Sequence, residues 1–306
     1  MRMGTQVRIL VYAPSFSQAS EASMAAFDRM EQLEWTFSDY RTNSELSRLN
    51  RDGAIAPRRV SDELFQVLHR SLEISSYSRG AFDITLGPLT QLWRQARRAG
   101  SPPTPKQIAQ ARRRTGFQNL ILNSKERTVR FELAGMALDL GGIAKGYIAD
   151  QALQVLQRRG LRSALVEAGG DIAIGAAPPG KAGWHIAIKG VQDELLALHD
   201  VGVATSGDEF QYLEIAGRRY SHIINPAIGV AVSDSSQVTV IAPDGMTADA
   251  LATTLSVMTP AAGLELADSL DGVAAFIRSR SNEALRSRRF PSGRPALPPM
   301  RAGFVR

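Results

Sequence analysis

The chain has 306 residues, of which 44% are hydrophobic and 22% charged, and it contains no cysteine. This length and composition are typical of one large globular domain or of two closely joined lobes. The lack of cysteine excludes disulfides, thiolate metal sites and a cysteine nucleophile. No apolar run approaches the roughly 20 residues that span a bilayer, and the N-terminal segment is too polar for a secretory signal. We therefore expect a cytoplasmic protein, or a periplasmic or membrane-associated one if a leader was removed.

The basic charge of the chain is concentrated at its C-terminal end. Residues 278–306 carry eight arginines and one acid, Glu283, whereas the whole chain has a net charge of +6. Residues 1–277 are therefore close to neutral, which argues against a specific nucleic-acid partner. We predict one domain over 1–277 and, over 278–306, an Arg- and Pro-rich tail that is mostly disordered. A nucleic-acid-binding arm is the alternative for this tail.

Apolar spacing predicts the elements of the first half of the chain. Val7, Ile9 and Val11 alternate with other residues, as in a strand. The following segments are predicted, in chain order, as a helix over 20–37, a polar loop over 38–50, a helix over 62–79, a breaker-rich insertion over 97–107, a hairpin over 117–133 and a helix over 145–160.

The second half of the chain is predicted to be richer in strands. These lie over 163–168, around 184–190, and over 200–205, 238–243 and 272–278, with a helix over 247–258. A hairpin-like region follows the stretch TSGDEF. Helices and hairpins are mixed without the regular βαβ repeat of a doubly wound sheet, so the sequence predicts an α+β fold.

The stretch LDLGGIAKGYIAD, residues 138–150, combines glycines with a single lysine. It matches neither G-x-G-x-x-G nor a Walker A loop. Its glycines would still let backbone N–H groups approach a phosphate, and Lys145 at a helix N-terminus would add positive charge. Asp139 could accept a hydrogen bond from a ligand, such as one from a ring N–H or a ribose hydroxyl. From this stretch alone, a phosphate-holding loop and a plain strand–turn–helix are equally compatible.

The stretch TADALATTL, residues 247–255, places Asp249 and Thr253 four residues apart on a predicted helix. Their side chains would therefore share one helix face. A carboxylate, a hydroxyl and a nearby backbone carbonyl form an all-oxygen set, which suits Mg²⁺ completed by waters and substrate phosphates. On its own, a capping or surface pair is the commoner explanation for two such residues.

Two later stretches contain further polar candidates. In VATSGDEFQYL, the residues Thr205, Ser206 and Asp208 could contact a ligand or simply form a turn. In YSHIINPAIG, His222 is flanked by apolar residues. A lone histidine in such a setting is more often a hydrogen-bonded core residue than a catalyst.

The stretch GAFDITLGPLTQLW offers an aromatic ring at Phe82 and a charge at Asp83. A flat heterocycle could stack against such a ring. A helix end that enters a buried turn explains the same residues equally well. This stretch therefore adds a candidate ligand contact without defining one.

The order of these stretches resembles the FAD:protein FMN transferase family, also known as the ApbE family. The resemblance runs from Met3 to about Ile277, through M-G-T, SDYRTNSELSRLN, GAFDITLGPL, LDLGGIAKGY, AGGD, ATSGD, SHIINP and ADALATT in the family order. So many matches in one order are not expected by chance. The resemblance implies an α+β fold made of two duplicated T-fold-like halves with the flavin site between them.

The resemblance also implies the residues of the site. Its FAD-contacting positions fall on Met3, Tyr40, Ala81, Phe82, Asp83, Asp139, Lys145 and Ile223, and we add Thr205 to the predicted FAD contacts. Its magnesium ligands fall on the backbone carbonyl of Gly142 and on the side chains of Asp249 and Thr253. Lys145, Asp249 and His222 are the predicted catalytic residues, with His222 as the candidate general base.

The activity implied by the resemblance is a Mg²⁺-dependent transfer of FMN from FAD. The acceptor would be a Thr or Ser hydroxyl in a flavinylation motif of another protein, and AMP would leave. The alternatives are a Mg²⁺-dependent FAD pyrophosphatase and a catalytically weakened flavin-binding protein.

Two positions depart from the family pattern H-I-I-D-P-x-T-G, because this chain has Asn225 for the acid and Ile228 for the threonine. If the acid only shapes an Asx–Pro turn, asparagine can replace it at little cost. If it carries charge near the metal or the base, activity should fall.

Overall fold

The computed structural model describes residues 5–188, 194–207, 212–215, 218–232, 236–279, 283–291 and 294–295. Its helices are α1 (Phe16–Phe37), α2 (Glu45–Asp52), α3 (Asp62–Tyr77), α4 (Gly87–Ala99), α5 (Pro105–Arg112), α6 (Ala144–Arg158), α7 (Gly245–Val257) and α8 (Pro260–Ser269). In these described ranges, no helix combines the length and the apolar character needed to cross a membrane.

The strands form one large sheet and several small ones. They are β1 (Val7–Val11), β2 (Arg58–Arg59), β3 (Leu120–Asn123), β4 (Thr128–Phe131), β5 (Ala164–Ala168), β6 (Asp171–Ile174), β7 (Trp184–Ala187), β8 (Glu194–Leu198), β9 (Val201–Ser206), β10 (Tyr212–Ile215), β11 (Arg218–Ser221), β12 (Ile224–Asn225), β13 (Val230–Ala231), β14 (Gln237–Ala242), β15 (Ala274–Arg278), β16 (Ala284–Arg286) and β17 (Arg294–Pro295). The small sheets pair β2-β4-β3, β17-β8-β7, β10-β11 and β12-β13.

The large sheet has seven strands in the order β1-β5-β6-β9-β14-β15-β16. Each neighbouring pair in it runs antiparallel. An antiparallel sheet covered by helices is the arrangement of an α+β protein. The predicted fold class is therefore confirmed, while the two duplicated halves stay a prediction.

Both faces of the large sheet are buried, because side chains alternate between two cores. In β5, Val166 packs into the core beneath α1 and α6, whereas Leu165 packs into the core on the opposite face. In β14, Val240 packs with α7 and α8, whereas Ile241 points to the same opposite core as Leu165. The helices that carry the candidate site residues, α6 and α7, thus rest on one face of a sheet that is covered on both sides.

The segments predicted as helices and strands are found close to their predicted positions, whereas the helices α2, α4, α5 and α8 are not predicted from the sequence. The predicted loop over 38–50 contains the start of α2, where the hydroxyl of Ser44 accepts a hydrogen bond from Ser47 N at 2.9 Å. The predicted insertion over 97–107 contains the start of α5, which Thr104 and Gln107 begin as a reciprocal capping box. In α5 only Ala111 is buried, so this helix has no apolar face for a sequence pattern to reveal.

Part of the predicted C-terminal tail, residues 283–291, is held against the large sheet, while a mostly disordered tail as a whole stays a prediction. Strand β16 pairs with β15 in the large sheet, and the hydroxyl of Ser287 accepts a hydrogen bond from Ala275 N at 2.9 Å. The ring of Phe290 lies 5.6 Å from that of Phe276 in the core beneath the sheet. The Arg-rich composition of this segment does not reveal its order, because one paired strand and one buried aromatic side chain are enough to hold it against the sheet. Residues 296–306 lie outside the described residues.

We expect Phe290→Ala to lower the free energy of unfolding by about 3–5 kcal/mol, since it removes a core aromatic side chain. Phe16→Ala is the matched control, because Phe290 is 9% exposed whereas Phe16 is 89% exposed. Urea denaturation of both variants measures the difference. Equal stability of the two variants would show that the C-terminal segment does not contribute to the core.

Candidate functional site

The centre of the candidate site is a lysine held between two buried carboxylates. Lys145 Nζ lies 2.5 Å from Asp171 Oδ2 and 3.2 Å from Asp249 Oδ1. The side chains of Asp171 and Asp249 are only 4% and 5% exposed. One ammonium group between two carboxylates leaves a net negative charge in a desolvated place. Such an arrangement favours the binding of a further cation.

The charges in this cluster shift the ionisation of its members. Burial by itself would lower the pKa of Lys145, but the carboxylates of Asp171 and Asp249 raise it above its ordinary value. The lysine therefore stays protonated. Burial and the nearby Asp249 carboxylate raise the pKa of Asp171 above its usual range, and the Lys145 ammonium opposes that rise.

Asp171 reaches Lys145 because of the tight turn that precedes it. Strands β5 and β6 are joined by Gly169 and Gly170, with φ angles of 63° and 99°. Left-handed conformations at both central positions are what a two-residue hairpin turn requires, and glycine adopts them without steric cost. The turn makes Asp171 the first residue of β6, opposite Ala168 in β5 and Ala204 in β9.

Asp249 reaches the same lysine because α6 and α7 cross closely. A side chain on Gly146 would place its Cβ 2.0 Å from the carbonyl oxygen of Gly245, so only glycine allows this approach. Gly146 N also donates a hydrogen bond to Asp249 Oδ2 at 3.1 Å. The crossing brings Lys145, at the start of α6, over the face of α7 that carries Asp249.

Asp150 fixes the beginning of α7 against α6. Its two carboxylate oxygens accept hydrogen bonds from Gly245 N at 2.8 Å and from Met246 N at 2.9 Å. These N–H groups are among those that a helix N-terminus leaves without intrahelical partners. Burial raises the pKa of Asp150 to about 7, although the two hydrogen bonds oppose the rise. Asp150 therefore supports the helix that carries Asp249 without pointing into the cluster.

The three predicted magnesium ligands come together in the structure. Asp249 and Thr253 lie one turn apart on α7, and Gly142 is next to Thr253, because a Cβ on this glycine would lie 2.9 Å from the Thr253 hydroxyl. The neighbouring hydroxyls of Thr254 and Ser256 donate to backbone carbonyls of their own helix at 2.6 and 2.8 Å. Within the described residues, the Thr253 hydroxyl makes no such bond and remains available to a ligand.

This donor set fits a hard divalent cation that keeps part of its hydration shell. The described ranges contain no group of three or more His, Cys, Asp or Glu side chains that could hold a metal. A cation beside Asp249 would therefore need the hydroxyl and carbonyl oxygens, together with water or the phosphates of a substrate. That is the usual coordination of Mg²⁺ in phosphoryl-transfer sites.

A second group of predicted contacts surrounds Arg94 of α4. Arg94 Nη2 donates to Asp139 Oδ2 at 3.0 Å, and Arg94 Nη1 forms an ion pair with Asp39. The guanidinium carbon lies 4.4 Å from the centre of the Tyr40 ring. The other oxygen of Asp139 accepts a hydrogen bond from Gly141 N at 2.8 Å. Tyr40 and Asp139, both predicted to contact FAD, are thus linked through one arginine.

The stretch from Ala81 to Asp83 forms a buried turn. The ring of Phe82 packs in the main core, and Ala81 is half-buried. One oxygen of Asp83 accepts hydrogen bonds from the N–H and the hydroxyl of Thr85, and the other accepts one from Phe117 N. Burial raises the pKa of Asp83, and these hydrogen bonds oppose the rise. The flavin contacts predicted at these three residues stay predictions.

Other predicted contacts lie at the edges of the large sheet and of the small hairpins. Thr205, near the end of β9, has its hydroxyl 2.9 Å from that of Thr239 in β14. His222 is exposed between β11 and β12, and Ile223 next to it is buried. Met3 and Asp208 lie outside the described residues.

Asn225 has the turn-forming role that one interpretation of the sequence assigns to it. Its side-chain oxygen accepts a hydrogen bond from Ala227 N at 2.9 Å, and its backbone oxygen accepts one from Gly229 N at 2.8 Å. The indole N–H of Trp93 in α4 donates to the Gly229 carbonyl at 3.1 Å and ties the turn to that helix. An aspartate would accept the bond from Ala227 N equally well.

We therefore expect Asn225→Asp to change the rate of the FMN transfer that the resemblance implies by less than about threefold, since the turn is kept. Asn225→Ala removes the side-chain acceptor and should lower the rate more. Rates for both variants, measured with the wild type under the same conditions, test this. A large gain in Asn225→Asp would mean that a charge is missing at this position.

Several residues of the site were not predicted from the sequence as site residues. Asp171 lies in the AGGD stretch, Asp150 follows Lys145 by five positions, and Arg94 lies in an arginine-rich helix. A signal for Asp171 existed, because a Gly-Gly pair after a strand predicts a hairpin that delivers the next residue to a neighbouring strand. Comparable signals for Arg94 and Asp150 are lacking, since their partners are distant in sequence.

The fold and the site define an α+β protein with a lysine–carboxylate cluster where α6 and α7 meet the large sheet. Comparisons with known proteins assign its family. The sequence model of the ApbE family matches residues 3–277. The FAD:protein FMN transferase of Salmonella typhimurium is 30% identical over 296 residues, 93% of this chain and 84% of the relative. That of Treponema pallidum is 34% identical over 277 residues, 84% of this chain and 76% of the relative.

Solved structures agree with this assignment. The ApbE protein of Thermotoga maritima superimposes with a TM-score of 0.83 at 30% identity, over 94% of this chain and 95% of that chain. The flavin transferase ApbE of Vibrio cholerae gives a TM-score of 0.82 at 29% identity, with the same coverage of both chains. The chain belongs to the ApbE family.

Proposed function

We propose that this protein is a Mg²⁺-dependent FAD:protein FMN transferase. The observation that carries the proposal is the lysine between two buried carboxylates, Asp171 and Asp249, beside the available hydroxyl of Thr253. This combination of charges suits a site where a diphosphate and a divalent cation bind together. The curated relatives from Salmonella typhimurium and Treponema pallidum bear the name of this activity.

In the proposed reaction, a Thr or Ser hydroxyl oxygen of the acceptor protein attacks the FAD phosphorus on the riboflavin side. A phosphoester bond to the acceptor forms as the phosphorus–oxygen bond to AMP breaks, and AMP leaves. The hydroxyl proton passes to a base, for which His222 is the candidate because its imidazole is exposed beside the turn of Asn225. An imidazole titrates near neutral pH and can accept this proton.

The metal, when bound, would neutralise charge on the diphosphate and polarise the phosphorus under attack. Asp249, Thr253 and the carbonyl of Gly142 would hold it. Lys145 contributes a positive charge beside the proposed metal ligand Asp249, and the ion pair with Asp171 holds the Lys145 ammonium in that position. The buried ion pairs mean that this charge is positioned before the substrate arrives, which is the main requirement of phosphoryl-type transfer.

FAD would lie across the surface from Tyr40 and Asp139 toward Lys145. The residues proposed to contact it are Met3, Tyr40, Ala81, Phe82, Asp83, Asp139, Lys145, Thr205 and Ile223. The flavin end would then meet an exposed aromatic ring, and the diphosphate would meet the lysine and the cation.

The test is a labelling assay with FAD, Mg²⁺ and an acceptor protein that contains a flavinylation motif. We expect fluorescent acceptor and free AMP, both lost with EDTA and restored by excess Mg²⁺. Replacing the acceptor's Thr or Ser by Ala is the matched control, because it removes only the attacking hydroxyl. Release of FMN and AMP without labelling would instead indicate a pyrophosphatase. FAD binding with no turnover would indicate a flavin-binding protein.

A further inference from the structure

Arg94 connects three side chains that come from separate parts of the chain. It forms an ion pair with Asp39 in the turn after α1, it binds Asp139 beside the glycine stretch, and it lies against the Tyr40 ring. Asp39 and Asp139 are 55 and 45 positions away from Arg94 in sequence. One guanidinium group therefore joins α4 to two loops that carry proposed FAD contacts.

The chemistry of these contacts requires an arginine rather than a lysine. The planar guanidinium group can bind two carboxylates through different nitrogens while its flat face stacks on an aromatic ring. A lysine ammonium is a point charge and cannot make all three contacts in one geometry. The Arg94 contacts thus fix an orientation as well as a charge.

Tyr40 depends on Arg94 because little else covers it. Its side chain is 75% exposed, so packing does not determine where the ring lies. The guanidinium group lies against the ring and leaves most of its surface accessible. An exposed aromatic ring held in this way is a ready surface for a flat heterocycle.

The position of Arg94 itself is determined by its neighbour in α4. Trp93 is buried, its indole N–H donates to the Gly229 carbonyl at 3.1 Å, and its ring lies 5.2 Å from that of Tyr220. These contacts hold the buried face of α4 against its neighbours. The orientation of the helix, and with it the starting point of the Arg94 side chain, is therefore determined. The Asp139 carboxylate is equally constrained, because its second oxygen accepts from Gly141 N.

Arg94 also neutralises negative charge where an anion is expected to pass. Without it, Asp39 and Asp139 would face each other and the approaching diphosphate. Burial and the charge of Asp139 raise the pKa of Asp39, and Arg94 opposes that rise. Like charges that are not neutralised would weaken the binding of an anionic ligand.

We propose that Arg94 is a positioning residue of the flavin site, which holds the Tyr40 ring and the Asp139 carboxylate as a preformed surface for FAD. This inference rests on the proposed function, because FAD is the ligand that those two residues would contact there. Arg94 itself would not touch the reacting phosphorus. Its replacement should therefore act on FAD binding rather than on the chemical step.

The experiment compares Arg94→Met and Arg94→Lys with Arg98→Met, an exposed arginine of the same helix. Two quantities are measured: the Kd of FAD in the absence of acceptor, by quenching of flavin fluorescence, and kcat and KM for FAD in the labelling assay. We expect Arg94→Met to raise the Kd and the KM by about 10- to 100-fold with kcat changed less than about threefold. Arg94→Lys should recover part of the affinity, and Arg98→Met should behave like the wild type.

A double variant separates positioning of the ring from simple charge. If Arg94 acts partly through Tyr40, then Tyr40→Leu should cost much less affinity in the Arg94→Met background than in the wild type. Circular dichroism of each variant checks folding, and Arg94→Lys takes over the test if Arg94→Met does not fold.

Unchanged FAD affinity in Arg94→Met would overturn the inference, and so would a loss confined to kcat. Either result would leave the proposed function standing if the wild type binds FAD and labels the acceptor. A wild type that does not bind FAD would instead remove the proposed function.

Discussion

Asp249→Asn is expected to lower the rate of FMN transfer on the order of 10²–10³-fold, the usual loss when a preorganised electrostatic contact to a reaction centre is removed. The substitution keeps the size of the side chain but removes its charge. The carboxylate is buried, accepts a hydrogen bond from Gly146 N, and lies beside Lys145. Its loss would take away the charged ligand of the proposed cation, so the Mg²⁺ concentration needed for half-maximal rate should also rise.

Two neighbouring threonines provide a second test and its matched control. Thr253→Val removes a proposed ligand and should raise the Mg²⁺ requirement, whereas Thr254→Val removes a hydroxyl that donates to Ala250 O within the same helix. Rates are measured over a Mg²⁺ titration for all three variants. If Asp249→Asn has a wild-type rate and Mg²⁺ dependence, or if the two threonine variants behave alike, the metal site does not lie on this face of α7.

Lys145→Met is expected to abolish measurable transfer and also to lower the free energy of unfolding by about 3–5 kcal/mol. The second effect follows because removal of one partner of a buried ion pair leaves charge without compensation. In this variant the carboxylates of Asp171 and Asp249 would face each other without the ammonium between them. Urea denaturation at pH 8 measures the loss of stability.

The dependence of this loss on pH and on a second substitution identifies its cause. The Lys145 ammonium opposes the rise in the pKa of Asp171, so without it that folded-state pKa lies higher still. The variant therefore regains stability as pH falls and loses it as pH rises through that pKa. The defect should therefore be smaller at pH 5 than at pH 8. Asp171→Asn in the Lys145→Met background should restore part of the stability and none of the activity. A loss of stability that is the same at both pH values would mean that packing, not charge, is its source.

The sequence could predict those parts of the site that depend on local spacing. Spacing makes Asp249 and Thr253 candidates because they share one helix face, and Lys145 a candidate because it follows glycines at a helix start. The family resemblance is what assigns the three residues to one site. The structure places these residues together, as the resemblance implies. Asn225 is recognisable as a turn former for the same local reason, and its side chain has that role.

The parts that could not be predicted depend on long-range contacts. Lys145 contacts Asp171, 26 positions away, and Asp249, 104 positions away. No local sequence pattern determines which acids a lysine will contact over such distances. The sequence around Arg94 gives no sign of its role, because its partners Asp39 and Asp139 are brought to it only by the fold. The same limit applies at the C-terminus, where burial of Phe290 depends on a sheet built from distant strands.

The pairing of β16 with β15 has a consequence for how the chain behaves in solution. The family match ends at Ile277, yet the strand that covers β15 begins at Ala284. A chain cut at the family boundary would display the unpaired N–H and C=O groups of β15 along a flat edge and expose the ring of Phe276. Uncovered edges of this kind recruit strands from other molecules. We therefore expect a chain that lacks residues 284–290 to self-associate, because these residues cover the edge of β15 and the ring of Phe276.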